Sequence, residues 1–384
     1  MNHTQAQVGP FERTGTPDAL SSEYLFGPAF LDEVAQDWRQ AWKTAAELGV
    51  LSALMPPSLG GGGQSVSTFV RMLETLGHNC PDNGFTMGLG SHVWTVQQPL
   101  VAFGTAEQQA RYLPDMMSGR TIGAFAITEE SSGSDALSMT THATKQDEGY
   151  ILNGQKCYIG MAPVCDVAIV FASTAPEKKA WGISAFLVER ADPGVSASEA
   201  QEKIGLKTLP MGQFEMKDTW VPEDRRLGPE GAGAKIFQTV LEWERAFILA
   251  PHVGAMARQL DDCLDHARTR QSFGKPIIEH QSVTNRLADM AVRLETSRLM
   301  LFRAAQAYDE GQTLSQLAAM CNLHIAEAFL QSSLDAMRTM GAQGYLVGAQ
   351  TGVDVNDSLG GVIYSGTSDV QRNIIAKLAG RRRG

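Results

Sequence analysis

The apolar positions of residues 31–120 recur at the spacing of amphipathic helices. Trp38 and Trp42 lie one turn apart on a common face, and the same periodicity returns further along this segment. Thr105 precedes Gln108 by three residues, which is the form of a capping box at the start of a helix. The pattern predicts an N-terminal part made entirely of helices.

Near Thr121 the pattern changes to short runs in which apolar and polar positions alternate. β-Branched and aromatic residues fill these runs, and turn signals such as Glu148-Gly149 separate them. The predicted strands cover residues 141–145, 150–159, 167–173, 183–188 and 214–221. They predict a compact β-domain that ends near Pro222.

Long helical periodicities return from about Gly228. The predicted helices cover residues 231–273, 280–309, 313–341 and 367–379. Four long helices with short connections predict a bundle. The sequence therefore predicts an α+β fold with an N-terminal α-helical domain (1–120), a middle β-domain (121–227) and a C-terminal four-helix bundle (228–384).

One carboxylate lies inside the apolar stripe of the helix predicted over residues 236–250. Glu244 is four residues from both Val240 and Ile248, so its side chain falls among theirs. Burial disfavours the charged form of a carboxylate and raises its pKa, which suits a general base near neutral pH. An ion pair with a basic residue of a packed helix is the structural alternative.

Composition and charge limit the classes of partner. The chain has 384 residues, of which 43% are hydrophobic, and its net charge of -10 argues against nucleic acid and anionic membranes as partners. Scattered cysteines without a CxxC pair are typical of reduced thiols, and no histidine spacing predicts a metal site. Residues 1–25 lack periodicity and a leader-like apolar run, so a loose arm and a cytoplasmic location are expected.

The segment 125–135 clusters hydroxyl groups around one glycine, and such a segment can present N–H groups and hydroxyls to a polar ring edge or a phosphate. Its stretch AITEESSGSD, residues 126–135, resembles the TEPxAGSD signature of the acyl-CoA dehydrogenase family. Further matches follow in family order at residues 153–160, 203–205, 214–222, 270–275, 341–345 and 364–368. The resemblance covers nearly the whole chain from about residue 30.

The resemblance implies the three-part fold given above, with FAD as the cofactor. The residues expected at the flavin ring and its polar edge are Phe125, Ile127, Thr128, Gly133 and Ser134, with Tyr158 and Gly160 covering the ring from the β-domain. The residues expected to reach the FAD of a neighbouring subunit or to complete the dinucleotide site are Arg270, Phe273, Gln281, Arg338, Gly341, Ala342, Thr367 and Asp369. A guanidinium suits the pyrophosphate. Sharing of FAD between subunits implies a homo-oligomer, either a dimer or a tetramer.

The catalytic base is where the sequence departs from many relatives. Their glutamate precedes the Gly-Thr pair of a YEGT motif, whereas Ser365 stands here and cannot act as that base. In the isovaleryl-CoA and long-chain branches the base lies on the first bundle helix, directly before an arginine. Glu244 and Arg245 resemble that arrangement, so Glu244 is the expected base. The expected substrate-binding residues are Ser134, Arg245, Ser365 and Gly366.

Further departures concern the substrate. Tyr158 replaces the family's tryptophan near the flavin, and Leu209 and Met211 replace the hydroxyl-bearing residues of a GxRxSxT run. Polar contacts around the thioester are therefore expected to differ from those of enzymes that act on acyl-CoA. The resemblance implies α,β-dehydrogenation of an acyl or aminoacyl thioester, with a carrier protein favoured over CoA, as for prolyl groups in secondary-metabolite biosynthesis.

The electron acceptor and two other functions stay open at the level of sequence. The reduced flavin is expected to pass its electrons to an electron-transfer flavoprotein or to oxygen. One alternative is a flavin oxidase or monooxygenase that acts at a nitrogen centre on the same fold, and Glu244 counts against it. The other alternative is a non-catalytic member of the family.

Overall fold

The computed structural model describes residue 34 and residues 37–380, so the arm predicted over residues 1–25 lies outside the described part. The N-terminal part is helical, as predicted. Its helices are α1 (Trp38–Glu47), α2 (Val66–Asn79), α3 (Asn83–Ser91), α4 (Gln98–Phe103) and α5 (Ala106–Met117). A π-helical segment, His92–Gln97, joins α3 to α4.

The predicted capping box opens α5. The Thr105 hydroxyl accepts a hydrogen bond from the Gln108 N–H at 3.2 Å, and the Gln108 side-chain oxygen accepts one from the Thr105 N–H at 3.1 Å. Two N–H groups that the helix leaves without partners are satisfied in this way. The predicted face of α1 is also confirmed, because Trp42 is fully buried and stacks on Trp38.

The middle part is an eight-stranded sheet. Its strands are β1 (Gly123–Ala126), β2 (His142–Gln146), β3 (Gly149–Gly160), β4 (Val167–Ser173), β5 (Ile183–Glu189), β6 (Val195–Ala197), β7 (Met211–Pro222) and β8 (Arg226–Leu227). Their order is β6-β7-β3-β2-β4-β5-β8, and β1 pairs with β4. The five strands predicted from the sequence correspond to β2, β3, β4, β5 and β7.

The sequence pattern did not predict β1, β6 or β8. β1 runs parallel to β4, with Gly123 opposite Val167, so its partner lies far along the chain. Such a short strand shows no periodicity of its own, and hydrogen bonds to a distant strand define it. β1 leads directly into the segment expected to face the flavin.

The C-terminal part is helical, as predicted, but it contains more helices than expected. They are α6 (Gly233–Phe247), α7 (Ala250–Thr269), α8 (Gln281–Asp309), α9 (Ser315–Met340), α10 (Gln350–Gly361) and α11 (Ser368–Ala379), with a hairpin of β9 (Gln271–Ser272) and β10 (Lys275–Pro276) after α7. The single helix predicted over residues 231–273 was wrong: it breaks before Pro251, which lacks an N–H and lies in the first turn of α7. α10 was not predicted because its sequence contains three glycines, which lower helix propensity.

The N-terminal and C-terminal helices make a close contact between α2 and α7. A Cβ atom on Gly77 would lie 1.8 Å from the carbonyl oxygen of Pro251, and one on Gly254 would lie 1.9 Å from that of Glu74. Only glycine permits this approach of two backbones. The contact holds the start of α7, and with it the end of α6, against the N-terminal helices.

The five cysteines are all free and buried, as predicted for reduced thiols. Within residues 34 and 37–380, no helix is long and apolar enough to cross a membrane. The same part of the chain contains no group of three or more His, Cys, Asp or Glu side chains arranged to hold a metal ion.

Candidate active site

Glu244 and Ser365 meet at the centre of the candidate site. The Ser365 hydroxyl donates a hydrogen bond to Glu244 Oε1 at 2.7 Å. Ser365 is buried, whereas the Glu244 side chain on α6 is only half-buried and remains partly open to solvent. Position 365, where many relatives carry the base, therefore lies beside Glu244, the residue expected to be the base here, and Glu244 supplies the carboxylate.

The surroundings of Glu244 favour a base. Burial is the largest influence and raises the pKa of Glu244, while the Ser365 hydroxyl and the charge of Arg245 act in the opposite direction. Burial also lowers the pKa of Arg245, against the pull of Glu244. The carboxylate is thus more basic than an exposed one, and its partial exposure leaves room for a proton donor to approach.

Ser365 and Gly366 form a left-handed turn that leads into α11, with φ values of 58° and 89°. Arg245 Nε donates to the Ser365 carbonyl at 3.2 Å. Gln371 Nε2 donates to the carbonyls of Ser365 and Gly366 at 3.0 and 2.8 Å. Thr367 is the N-cap of α11. The structure therefore brings four of the residues singled out from the sequence together around Glu244.

Sequence reasoning missed one residue that contacts this turn, Gln371 on α11. It is fully buried. The available signal was the one that identified Glu244, because Gln371 shares a helical stripe with Ile374, Ile375 and Leu378. A buried polar side chain on such a stripe requires hydrogen-bond partners.

Aromatic contacts connect the segment expected to face the flavin with the helix that carries Glu244. Phe125 on β1 packs edge-on against Phe171 on β4 with ring centroids 5.2 Å apart. Phe171 in turn packs edge-on against Phe237 on α6 at 5.5 Å. This chain of three rings sets the position of β1, and of Ile127 that follows it, relative to α6.

Tyr158 and Gly160 lie beside the same segment. The Cys157 N–H donates to the Thr128 carbonyl at 2.8 Å, which joins the segment to β3. The register between β3 and β7 shifts around Tyr158, as in a β-bulge, and Tyr158 has a φ of 57° and is 59% exposed. Bulges commonly re-aim a side chain in this way. Ser134 is also exposed.

A buried ion pair beneath this segment was not found from the sequence. Lys156 Nζ lies 2.8 Å from Glu129 Oε1 and donates to the Ile127 carbonyl at 3.0 Å. Glu129 also accepts hydrogen bonds from the N–H groups of Thr140 and Thr141 at 2.6 and 3.0 Å. The sequence did carry a signal for this pair: Lys156 is a lysine at an inward-facing position of the strand predicted over residues 150–159. The pair holds the start of the segment that is expected to face the flavin onto the sheet.

The altered positions of the GxRxSxT run present apolar atoms near Gly160. Met211 on β7 pairs with Gly160 on β3 in the sheet. A Cβ atom on Gly160 would lie 4.0 Å from a methyl group of buried Leu209. The two hydroxyl groups found in many relatives are thus replaced by hydrophobic contacts beside the expected cover of the flavin.

The remaining candidate residues form a separate group at one end of the bundle. These residues are Arg270, Phe273, Gln281, Arg338, Gly341 and Ala342, and all of them are exposed. The end of α7, the start of α8 and the end of α9 meet there through Cys263, Leu287 and Ala336. Phe273 is 96% exposed, although it is a large apolar side chain.

Within one chain, this group is distant from Glu244 and from the Ser365–Gly366 turn beside it. Arg372 of α11 contacts Glu327 on α9 at 3.2 Å. Arg338 lies eleven residues further along α9, which corresponds to about 16 Å of helix. The structure therefore does not bring the bundle-end group to Glu244, whereas Thr367 lies at the turn itself and Asp369 is exposed beside it.

Comparisons with known proteins agree with the three-part fold. The models of the N-terminal, middle and C-terminal domains of acyl-CoA dehydrogenases match residues 28–120, 124–219 and 231–380. Over 337 residues the chain is 40% identical to the L-prolyl-[peptidyl-carrier protein] dehydrogenase of Pseudomonas fluorescens, which covers 88% of this chain and 89% of the relative.

Two solved structures are similar over nearly the full length. The prolyl acyl carrier protein oxidase AnaB superposes with a TM-score of 0.90 at 36% identity, covering 94% of this chain and 96% of AnaB. PigA with FAD and proline superposes with a TM-score of 0.91 at 35% identity, covering 94% of this chain and 95% of PigA. Together with the three domain matches, these similarities show that the chain belongs to the acyl-CoA dehydrogenase family.

Proposed function

We propose that this protein catalyses the FAD-dependent α,β-dehydrogenation of an acyl or aminoacyl thioester on a carrier protein, with a prolyl group as the favoured substrate. The observation that carries the proposal is the 2.7 Å hydrogen bond between Ser365 and Glu244. Both positions that hold a base within the family meet there. Because Ser365 cannot accept the proton, the base is Glu244.

Glu244 removes the α-proton of the thioester. Its pKa is raised by burial, which makes it a stronger base than an exposed carboxylate. The N–H groups of Ser365 and Gly366 have no acceptor within the part of the chain that the structure describes. They are available to the thioester carbonyl oxygen as it gains negative charge, and this stabilisation makes the α-proton acidic.

The flavin-side residues fit FAD. Thr128 and exposed Ser134 offer hydroxyl groups to the polar edge of a flavin, and a Cβ atom on Gly133 would meet no atom within 4 Å, which leaves space for a ring. Bound FAD supplies the acceptor for the hydride that leaves the β-carbon. Arg270 offers a guanidinium suited to the pyrophosphate.

Two observations support a carrier protein as the donor of the thioester. Two of the similar proteins, both covered over most of their length, carry names that refer to prolyl groups on carrier proteins. In this chain Leu209 and Met211 replace the hydroxyl-bearing residues of the run that many relatives acting on CoA esters retain. A prolyl group is small and cyclic, and its thioester has the α-proton that Glu244 requires.

The exposed bundle-end group supports a homo-oligomer, either a dimer or a tetramer, in which that group meets the FAD of a neighbouring subunit. Phe273 is 96% exposed, and Arg270 beside it is exposed as well. We further propose a cytoplasmic location. The names of the similar proteins include a dehydrogenase and an oxidase, so both an electron-transfer flavoprotein and oxygen are retained as electron acceptors.

A panel of thioesters tests this function. Prolyl and short acyl groups are offered on a phosphopantetheine-bearing carrier protein and on CoA, and flavin bleaching is followed by stopped flow. We expect the prolyl carrier protein to react fastest. Glu244→Gln should slow flavin reduction by at least about 10²-fold, the usual effect of losing a general base, with little change in FAD content or melting.

Glu242→Gln is the matched control, because Glu242 lies on the same helix and accepts a hydrogen bond from a serine hydroxyl, that of Ser315, at 2.6 Å. The flavin of Glu242→Gln should be reduced at the wild-type rate. Equal rates with CoA esters would remove the preference for a carrier protein, and near-native reduction by Glu244→Gln would refute the role of Glu244. Oxygen incorporated into the product would indicate oxygenation at a nitrogen centre instead.

A further inference from the structure

The turn that presents Ser365 to Glu244 is an unfavourable one. Ser365 has a φ of 58°, in the left-handed region that a residue with a Cβ atom rarely adopts. Such a conformation persists only when its surroundings determine it. Contacts that hold the backbone of Ser365 therefore decide where its hydroxyl points.

Gln371 provides most of these contacts. A single side-chain NH₂ group donates to two consecutive carbonyl groups, that of Ser365 at 3.0 Å and that of Gly366 at 2.8 Å. The two hydrogens of this NH₂ group thus meet two acceptors. Arg245 Nε adds one bond to the Ser365 carbonyl at 3.2 Å. The planes of both peptide groups are thereby held.

Among the described residues, the Gln371 side chain has no hydrogen-bond partner besides these two carbonyl groups. It is fully buried and lies one turn after Thr367, on the inner face of α11. The Glu244 carboxylate accepts its hydrogen bond from Ser365 and not from Gln371. Any effect of Gln371 on Glu244 must therefore pass through the Ser365–Gly366 turn.

We propose that Gln371 is a positioning residue for the general base: by holding both carbonyl groups of the Ser365–Gly366 turn, it keeps the Ser365 hydroxyl on the Glu244 carboxylate. The inference rests on the proposed role of Glu244. A hydroxyl that donates to a carboxylate stabilises its ionised form, so loss of this hydrogen bond raises the pKa of Glu244.

The test is a titration of Glu244 by infrared difference spectroscopy on the FAD-loaded protein, with Glu244→Gln identifying the carboxyl band. The pH dependence of flavin reduction is measured alongside. Ser365→Ala should move the Glu244 midpoint upward by about one pH unit, the size expected for one hydrogen bond to a charged acceptor. Gln371→Met should move it in the same direction. Combining both changes should add no further shift, because the two act in series.

Gln108 offers a matched control. It is a buried glutamine whose Nε2 also donates to two backbone carbonyl groups, those of Asp224 at 2.7 Å and Arg226 at 2.9 Å, away from Glu244. Gln108→Met should lower the melting temperature and leave the Glu244 midpoint unchanged. Gln371→Met should change both.

An unchanged Glu244 midpoint in folded, FAD-loaded Gln371→Met would overturn the proposal, as would an additional shift in the double variant. If Gln371→Met does not fold, Gln371→Asn replaces it: its amide is one carbon shorter and cannot reach both carbonyl groups, so a smaller upward shift is expected. Near-native flavin reduction by Glu244→Gln would instead show that the proposed function itself is wrong, which separates the two failures.

Discussion

Ser365 lies so close to Glu244 that a carboxylate could occupy either position. Glu244→Gly combined with Ser365→Glu moves the carboxylate from α6 to the turn before α11. In the wild type, Ser365 Oγ lies 2.7 Å from Glu244 Oε1. We therefore expect the double variant to recover part of the flavin reduction rate that Glu244→Gly loses. The glycine costs about 1 kcal/mol of helix stability, so melting is measured together with stopped-flow reduction.

Ser365→Glu alone is the control for this exchange. Two carboxylates within hydrogen-bond distance cannot both ionise freely, so the pair loses its protons in two steps, the second of them at raised pH. The pH dependence of flavin reduction by Ser365→Glu should therefore show two ionisations in place of the single one of the wild-type base. If the double variant holds its FAD and recovers no rate, the two positions do not reach the same α-carbon.

The segment 125–135, which is expected to face the flavin, depends on a tertiary element, the buried pair of Glu129 and Lys156. Burial raises the pKa of Glu129, but Lys156 and the donors of Thr140 and Thr141 outweigh it and bring it to about 2. Burial lowers the pKa of Lys156 to about 8, against the pull of Glu129. Both groups are therefore charged at pH 7. The stabilisation from Glu129 is present above its ordinary pKa of 4.5 and is lost as the pH falls towards 2.

Lys156→Met should leave a buried carboxylate without its cation and lower the free energy of unfolding by about 3–5 kcal/mol, with a parallel loss of FAD. Adding Glu129→Gln removes the unpaired charge and keeps an acceptor for the Thr140 N–H, so most of the stability should return. Urea unfolding and flavin absorbance measure the two effects. A double variant no more stable than Lys156→Met would show that the charge is not the cause.

At the scale of the whole molecule, the exposed bundle end predicts dependence on a neighbouring subunit. Arg270→Ala should lower FAD occupancy more than it lowers the melting temperature, because an exposed arginine contributes little to folding but suits a pyrophosphate. Flavin absorbance and sizing chromatography measure occupancy and assembly.

The domain boundaries near residues 120 and 227 stay a prediction.

Arg268→Ala is the matched control for Arg270→Ala. Arg268 lies on the same helix end and forms an exposed ion pair with Asp265 at 3.1 Å, so its loss should change neither FAD content nor assembly. Full FAD retention by Arg270→Ala in a protein that elutes as a monomer would contradict a site shared between subunits.

The order of helical and β segments could be predicted from the sequence because hydrophobic periodicity is a local property. The same local spacing identified Glu244, since an apolar stripe is visible along a single helix. It failed where local signals were weak or misleading, as at the four-residue strand β1 and at the helix break before Pro251. Comparison with the YEGT motif of the family added that Ser365 replaces the glutamate that is the base in many relatives.

Only the tertiary structure decided which of these residues act together. Glu244 and Ser365 are 121 positions apart, and no spacing rule links them. Gln371 acquires its role from the carbonyl groups of a left-handed turn, and Lys156 on β3 acquires its partner 27 positions away, in the segment that follows β1. A hydrogen bond depends on distance and direction in space, which the packing of α6, α11 and the sheet determines and which residue order alone does not.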